Sequence, residues 1–96
     1  MSVYKAVRRK IQKLKNMGKK GKELEVRIVP CFYDTKRAEL FVIRYACFGN
    51  TLWIKSYGFI YFSSKESEAK LDYVCKVVER FNRIQNMRHE RRKNNV

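Results

Sequence analysis

Residues 24–62, LEVRIVPCFYDTKRAELFVIRYACFGNTLWIKSYGFIYF, hold most of the β-branched and aromatic side chains of the chain and decide its fold. Leu24, Val26 and Ile28 alternate with Glu25 and Arg27, as in a strand with one dry and one wet face. Pro30 has no N–H to give to a ladder, which puts an edge or a bulge there; Phe32 and Tyr33 extend the strand. Asp34-Thr35-Lys36-Arg37 reads as a polar hairpin connection. From Ala38 to Phe48 both parities are largely apolar: Leu40, Val42, Arg44 and Ala46 on one, Phe41, Ile43, Tyr45 and Cys47 on the other. A strand of that kind is central and at least partly covered on each side. Gly49-Asn50 marks a tight turn, and a third strand starts near Thr51. Gly58 predicts either a bulge or a bend into a fourth strand over 59–62, so the sheet has three or four antiparallel strands.

Working outward, Val3, Val7, Ile11, Leu14 and Met17 recur at intervals of three and four, the stripe of an amphipathic helix with Ser2 as its cap. Gly18 and Gly21 end it and leave residues 18–23 as a flexible, lysine-rich connection. On the other side Ser63 or Ser64 starts a second helix, with Ser63 and Glu66 at capping-box spacing. Its stripe is Val74, Val77, Val78, Phe81 and Ile84, with Leu71 near the edge, and residues 88–96 form a frayed basic tail. The expected architecture is a single α+β domain over 1–96: helix, antiparallel sheet, helix, with both helices on one face of the sheet.

Charge narrows the class of partner. The 96 residues carry 23 Lys or Arg against nine Asp or Glu, a net charge of +14, and the first 22 residues hold nine of the basic ones and no acid. Such a surface favours a polyanion. Arg8, Arg9, Lys13, Lys19, Lys20 and Lys22 are the phosphate candidates at one end, and Arg91, Arg92 and Lys93 at the other. Taking Leu40, Val42, Leu52 and Ile54 as the helix side leaves Phe41, Ile43, Tyr45, Trp53, Lys55 and Tyr57 on the open face. There Tyr45, Lys55 and Tyr57 are candidates for contact with bases or a groove.

Catalytic chemistry finds no foothold in the sequence. His89 is the single histidine and sits in a charged run; Cys31, Cys47 and Cys75 match no metal knuckle or redox pair and lie in apolar runs expected to be buried. Glu66 and Glu68 do not share a helix face, and Gly18 to Gly21 is too short for a phosphate loop. No enzyme, metal or cofactor is expected. Neither is a membrane partner, because no apolar run reaches spanning length and the first helix has a narrow stripe without Trp or Phe. The expected location is cytoplasmic, or nuclear if the source is eukaryotic or a virus of one.

In element order the chain resembles the double-stranded RNA-binding domain and the small helix–sheet–helix proteins of the signal recognition particle. It departs from the former at Ser63-Ser64-Lys65-Glu66-Ser67-Glu68-Ala69-Lys70, where that domain has a lysine-rich helix start and this chain has two acids. Tyr57 to Ala69 also resembles the strand-to-helix junction of AP2-like and integrase arm-binding domains. The expected function is non-catalytic nucleic-acid binding, to DNA or RNA. The alternative is a protein-interaction module, such as a small viral or mobile-element regulator or inhibitor. Its aromatic sheet face would bind a second copy or an acidic protein.

Overall fold

The computed structural model describes residues 2–19, 23–46 and 49–94, with side chains in the last helix described as far as Met87. Helix α1 (Val3–Met17) leads into an antiparallel sheet of β1 (Leu24–Cys31), β2 (Asp34–Tyr45) and β3 (Thr51–Tyr61), and α2 (Lys65–Asn94) follows. Strand order is β1-β2-β3, so the doubly apolar segment is central, as its pattern predicts. Gly58, at φ +83°, is a bulge inside one long β3 and not the start of a fourth strand. Lys20, Lys22 and Cys47 lie outside the described residues, as do the side chains of Arg91, Arg92 and Lys93.

Both helices cover one face of the sheet. Val7, Ile11 and Leu14 of α1 and Leu71, Val74, Cys75 and Val78 of α2 form one core with Leu24, Val26, Ala38, Leu40, Val42 and Ile60. Ser2 Oγ accepts from Lys5 N and caps α1, as its position suggests. At α2 the cap is Ser64, whose Oγ accepts from Glu66 N at 3.2 Å, so Ser63 and Glu66 form no capping box. The buried stripe of α2 is turned relative to the expected one. Leu71 is fully buried, whereas Ile84 is exposed. Ser67 Oγ accepts from Tyr61 N at 2.7 Å and pins the start of α2 to the end of β3.

Two turns differ from expectation. Residues 34–37 belong to β2, and the hairpin tip is Phe32-Tyr33, both strongly exposed. Asp34 Oδ1 accepts from Lys36 N, and Lys36 O accepts from Phe62 N, so this polar segment pairs with the end of β3. The connection after α1 is anchored at its first residue: Gly18 is buried, and its carbonyl accepts from Val26 N at 2.8 Å. Among the cysteines, Cys75 is buried, and that burial pushes its thiol up, whereas Cys31 is only half-buried at the end of β1.

A Cβ on Gly18 would meet both Cγ2 and the backbone N of Val26 at 2.8 Å. Because Val26 N is a backbone atom, itself tied to the Gly18 carbonyl, the contact cannot relax by a side-chain rotation. Gly18→Ala is expected to destabilise the fold by about 1–3 kcal/mol in urea denaturation, while Lys19→Ala leaves the midpoint unchanged.

Candidate nucleic-acid interface

The pairing register decides which side chains share a face. Phe41 lies opposite Ser56, Val42 opposite Lys55, Ile43 opposite Ile54 and Arg44 opposite Trp53. Opposed residues point to the same side of a sheet, so Ile54 joins Ile43 on the open face, and Trp53 and Lys55 lie on the helix side. This reverses the expected faces of β3. The ladder shifts twice, between Glu39 and Phe41 and between Arg44 and Tyr45, and a slip of one residue turns every following side chain over.

The three sheet candidates are therefore divided. Tyr45 is on the open face and is engaged within the protein: its hydroxyl donates to Glu25 Oε1 at 2.6 Å, and Arg27 grips the same carboxylate at 3.0 Å. Lys55 and Tyr57 remain together on the helix side, with Lys55 Nζ 4.9 Å from the centre of the Tyr57 ring. Tyr73 of α2 joins them at 6.3 Å from Tyr57. Trp53 is exposed nearby in sequence, and its neighbour Arg44 places its guanidinium 5.2 Å from the Phe81 ring. The margin between β3 and α2 thus carries aromatic rings with cations set against them.

The α1 candidates also separate by their partners. Contacts of Lys10 with Glu68 and Asp72, Lys13 with Glu79, and Asn82 with Met17 O show that α1 and α2 run side by side in the same direction. Lys10 bonds Asp72 at 2.8 Å, a hydrogen bond that holds its ammonium above the usual lysine range. Lys13 meets Glu79 at 3.7 Å with both side chains largely exposed, and exposed pairs of that kind contribute only about 0–1 kcal/mol. Lys5, Arg8, Arg9, Lys15 and Lys19 are exposed, with no carboxylate within ion-pair distance among the described residues.

Arg8 has a defined setting. Its guanidinium lies 5.7 Å from the ring centres of both Tyr4 and Phe62, which meet edge to face at 6.4 Å. This cluster borders a cavity of about 640 Å³ lined by Tyr4, Arg8, Thr35, Lys36, Tyr61, Phe62, Ser63 and Ser64. Two of the lining residues are cations and none is an acid. Thus α1, the start of β2 and the β3–α2 junction meet around a half-open hollow suited to an anion with a flat apolar part. Sequence reasoning found Arg8 but missed Tyr4, Lys36 and Phe62. Lys36 sits in a stretch whose sequence reads as a polar hairpin connection, and Phe62 is distant from Arg8 along the chain.

Among the described residues no group of three or more His, Cys, Asp or Glu is placed to hold a metal ion, and no helix is long and apolar enough to cross a membrane. No family model matches the chain, and neither the curated proteins nor the solved structures gave a match.

The hydrogen bond from Tyr45 to Glu25, followed by burial, pushes the Tyr45 phenol above its ordinary value near 10. A raised folded-state value means that folding favours the protonated phenol. Its contribution is complete below the unfolded value and disappears as pH rises through the folded one. The stability gap between the wild type and Tyr45→Phe, read from urea midpoints, is expected to be constant from pH 6 to 9 and to close above about pH 10.

Proposed function

We propose that the protein is a small, non-catalytic nucleic-acid-binding protein that holds phosphates through α1. The carrying observation is the exposed basic surface of Lys5, Arg8, Arg9, Lys15 and Lys19, none of which meets a carboxylate within ion-pair distance among the described residues; Arg8, with Lys36, lines a cavity. Lys13 adds to it when Glu79 is displaced, which a polyphosphate does easily given the weakness of an exposed pair. Lys20 and Lys22 continue the same basic run in sequence, and Arg91, Arg92 and Lys93 supply a second basic cluster at the end of α2.

Contact with bases falls to Lys55 and Tyr57, together with Trp53 and Tyr73, and not to Tyr45. Trp53, Lys55 and Tyr73 are exposed at the β3–α2 margin, with Tyr57 half-buried beneath the Lys55 amine; the Tyr45 hydroxyl is already committed to Glu25. Arg8 is the phosphate anchor of this assignment. A guanidinium held against two rings keeps its N–H fork available for a phosphate. A cytoplasmic or nuclear site of action fits a nucleic-acid partner. The second reading, a protein-interaction module, draws its support from the open sheet face, with a second copy as its occupant.

The test is binding to duplex DNA, duplex RNA and single strands across a salt series, with an unrelated acidic polymer as competitor. One polymer form is expected to retain selective binding near physiological salt. Arg8→Gln should weaken that binding several-fold and lower the slope of log K against log salt by about one. Lys10→Gln, which removes a lysine already engaged by Asp72 and Glu68, should change affinity far less. Weak binding to every polymer alike, gone by physiological salt, would sink the proposal.

A further inference from the structure

The half-open hollow beside Arg8 has a volume of about 640 Å³, inside the range of roughly 300–1,000 Å³ that small-ligand sites occupy. Its wall joins three chemistries that serve different parts of one ligand. Arg8 and Lys36 bring two positive charges, and neither meets a carboxylate within ion-pair distance among the described residues. Asp34, two residues before Lys36, does not line the hollow; its carboxylate accepts from Lys36 N and lies 3.4 Å from Arg37 Nε. Thr35, Ser63 and Ser64 add hydroxyls. Ser64 Oγ accepts from Glu66 N, which leaves its own proton to donate. Tyr4 and Tyr61 supply rings that are 48% and 46% exposed.

Cations and hydroxyl donors in one wall, with exposed ring surface beside them, match a phosphate joined to a flat ring. Charge decides which phosphate. Each internal phosphate of a strand carries one negative charge, whereas a phosphomonoester carries about −1.5 to −2 at pH 7. Two cations without a carboxylate partner suit the second. Shape agrees: α1, the start of β2 and the β3–α2 junction meet around the hollow, so a chain end fits there. A continuous strand, which has to enter and leave, lies better along the exposed cations of α1. Lys5 stands three residues before Arg8, hence beside it on the helix, and joins the hollow to that basic surface. This continuity favours a strand end over a phosphotyrosine peptide, which also links a ring to a phosphomonoester but offers α1 no further phosphates.

We infer that the hollow binds a nucleoside monophosphate group, presented as the phosphorylated end of a nucleic-acid strand whose following phosphates run onto α1. The strand rests on the nucleic-acid function proposed above; the match between the hollow and a nucleoside monophosphate does not.

The experiment compares single-stranded DNA and RNA oligonucleotides of one sequence that end in a 5′-phosphate, in a 3′-phosphate or in hydroxyls alone. Adenosine monophosphate, inorganic phosphate and a phosphotyrosine peptide serve as competitors, and adenosine monophosphate is also titrated alone by calorimetry. One phosphorylated form is expected to bind roughly tenfold or more tightly than the hydroxyl-ended strand near physiological salt. Adenosine monophosphate should abolish that difference at a lower concentration than inorganic phosphate does. Lys36→Gln, at an exposed position, should bring the ratio down to about one. Lys15→Gln, on the exposed basic side of α1 and outside the hollow, should weaken every strand alike and keep the ratio. Strands held equally well whatever their ends overturn the inference and leave the nucleic-acid function standing. A preference that survives Lys36→Gln overturns it as well, and so does a phosphotyrosine peptide that competes better than adenosine monophosphate. If no strand binds while adenosine monophosphate does, and Lys36→Gln weakens it, the nucleic-acid function fails and the hollow stands as a site for the free nucleotide. Binding of none of these probes sinks both.

Discussion

A three-stranded sheet has two faces, and this chain supplies helices for only one of them. The β2–β3 register settles which side chains receive that cover. It places Leu40 and Val42 under α1 and α2, and Ile43 and Ile54 on the far side, where only side chains of the sheet itself surround them. Ile43 is almost fully buried outside the main core, shielded by its neighbours on the open face. The composition of the β3 margin and of the open sheet face both follow from that alignment.

The helices are fixed by apolar contact with the sheet and by a few polar ties at their ends. Gly18 to Val26 joins the end of α1 to β1, Tyr61 to Ser67 joins β3 to α2, and Asn82 to Met17 joins the two helices. Each tie satisfies a backbone group that would otherwise lie part-buried and unpaired at an element's end. Acids of α2 then cover part of the basic side of α1. This is why the basic side of α1 is not one uniform surface but a paired strip, Lys10 and Lys13, beside one with no carboxylate in ion-pair range among the described residues.

Element order, the central place of β2, the α1 stripe and the Ser2 cap were all legible in the sequence, because each depends on local spacing. The facing of β3 was not. Two ladder shifts act on it, and the second leaves no Gly or Pro signature. The β1–β2 turn was misplaced because polar residues usually mark turns; here Phe32 and Tyr33 take the tip and Thr35 to Arg37 run along β3. Of the candidate site, Arg8 and Arg9 were recognisable from charge alone. The grouping of Arg8 with Tyr4, Lys36 and Phe62 depends on contacts between residues up to 58 apart in sequence, which no periodicity reveals.

The packing of Arg8 against Tyr4 and Phe62 also has an entropic consequence. A free arginine on a helix surface samples many rotamers, and fixing it on a ligand costs up to about 2 kcal/mol of lost freedom. Here the folded protein has already restricted that motion by laying the guanidinium against two rings. Whatever anion enters the hollow meets a preorganised donor, so more of the electrostatic attraction is left to express as affinity.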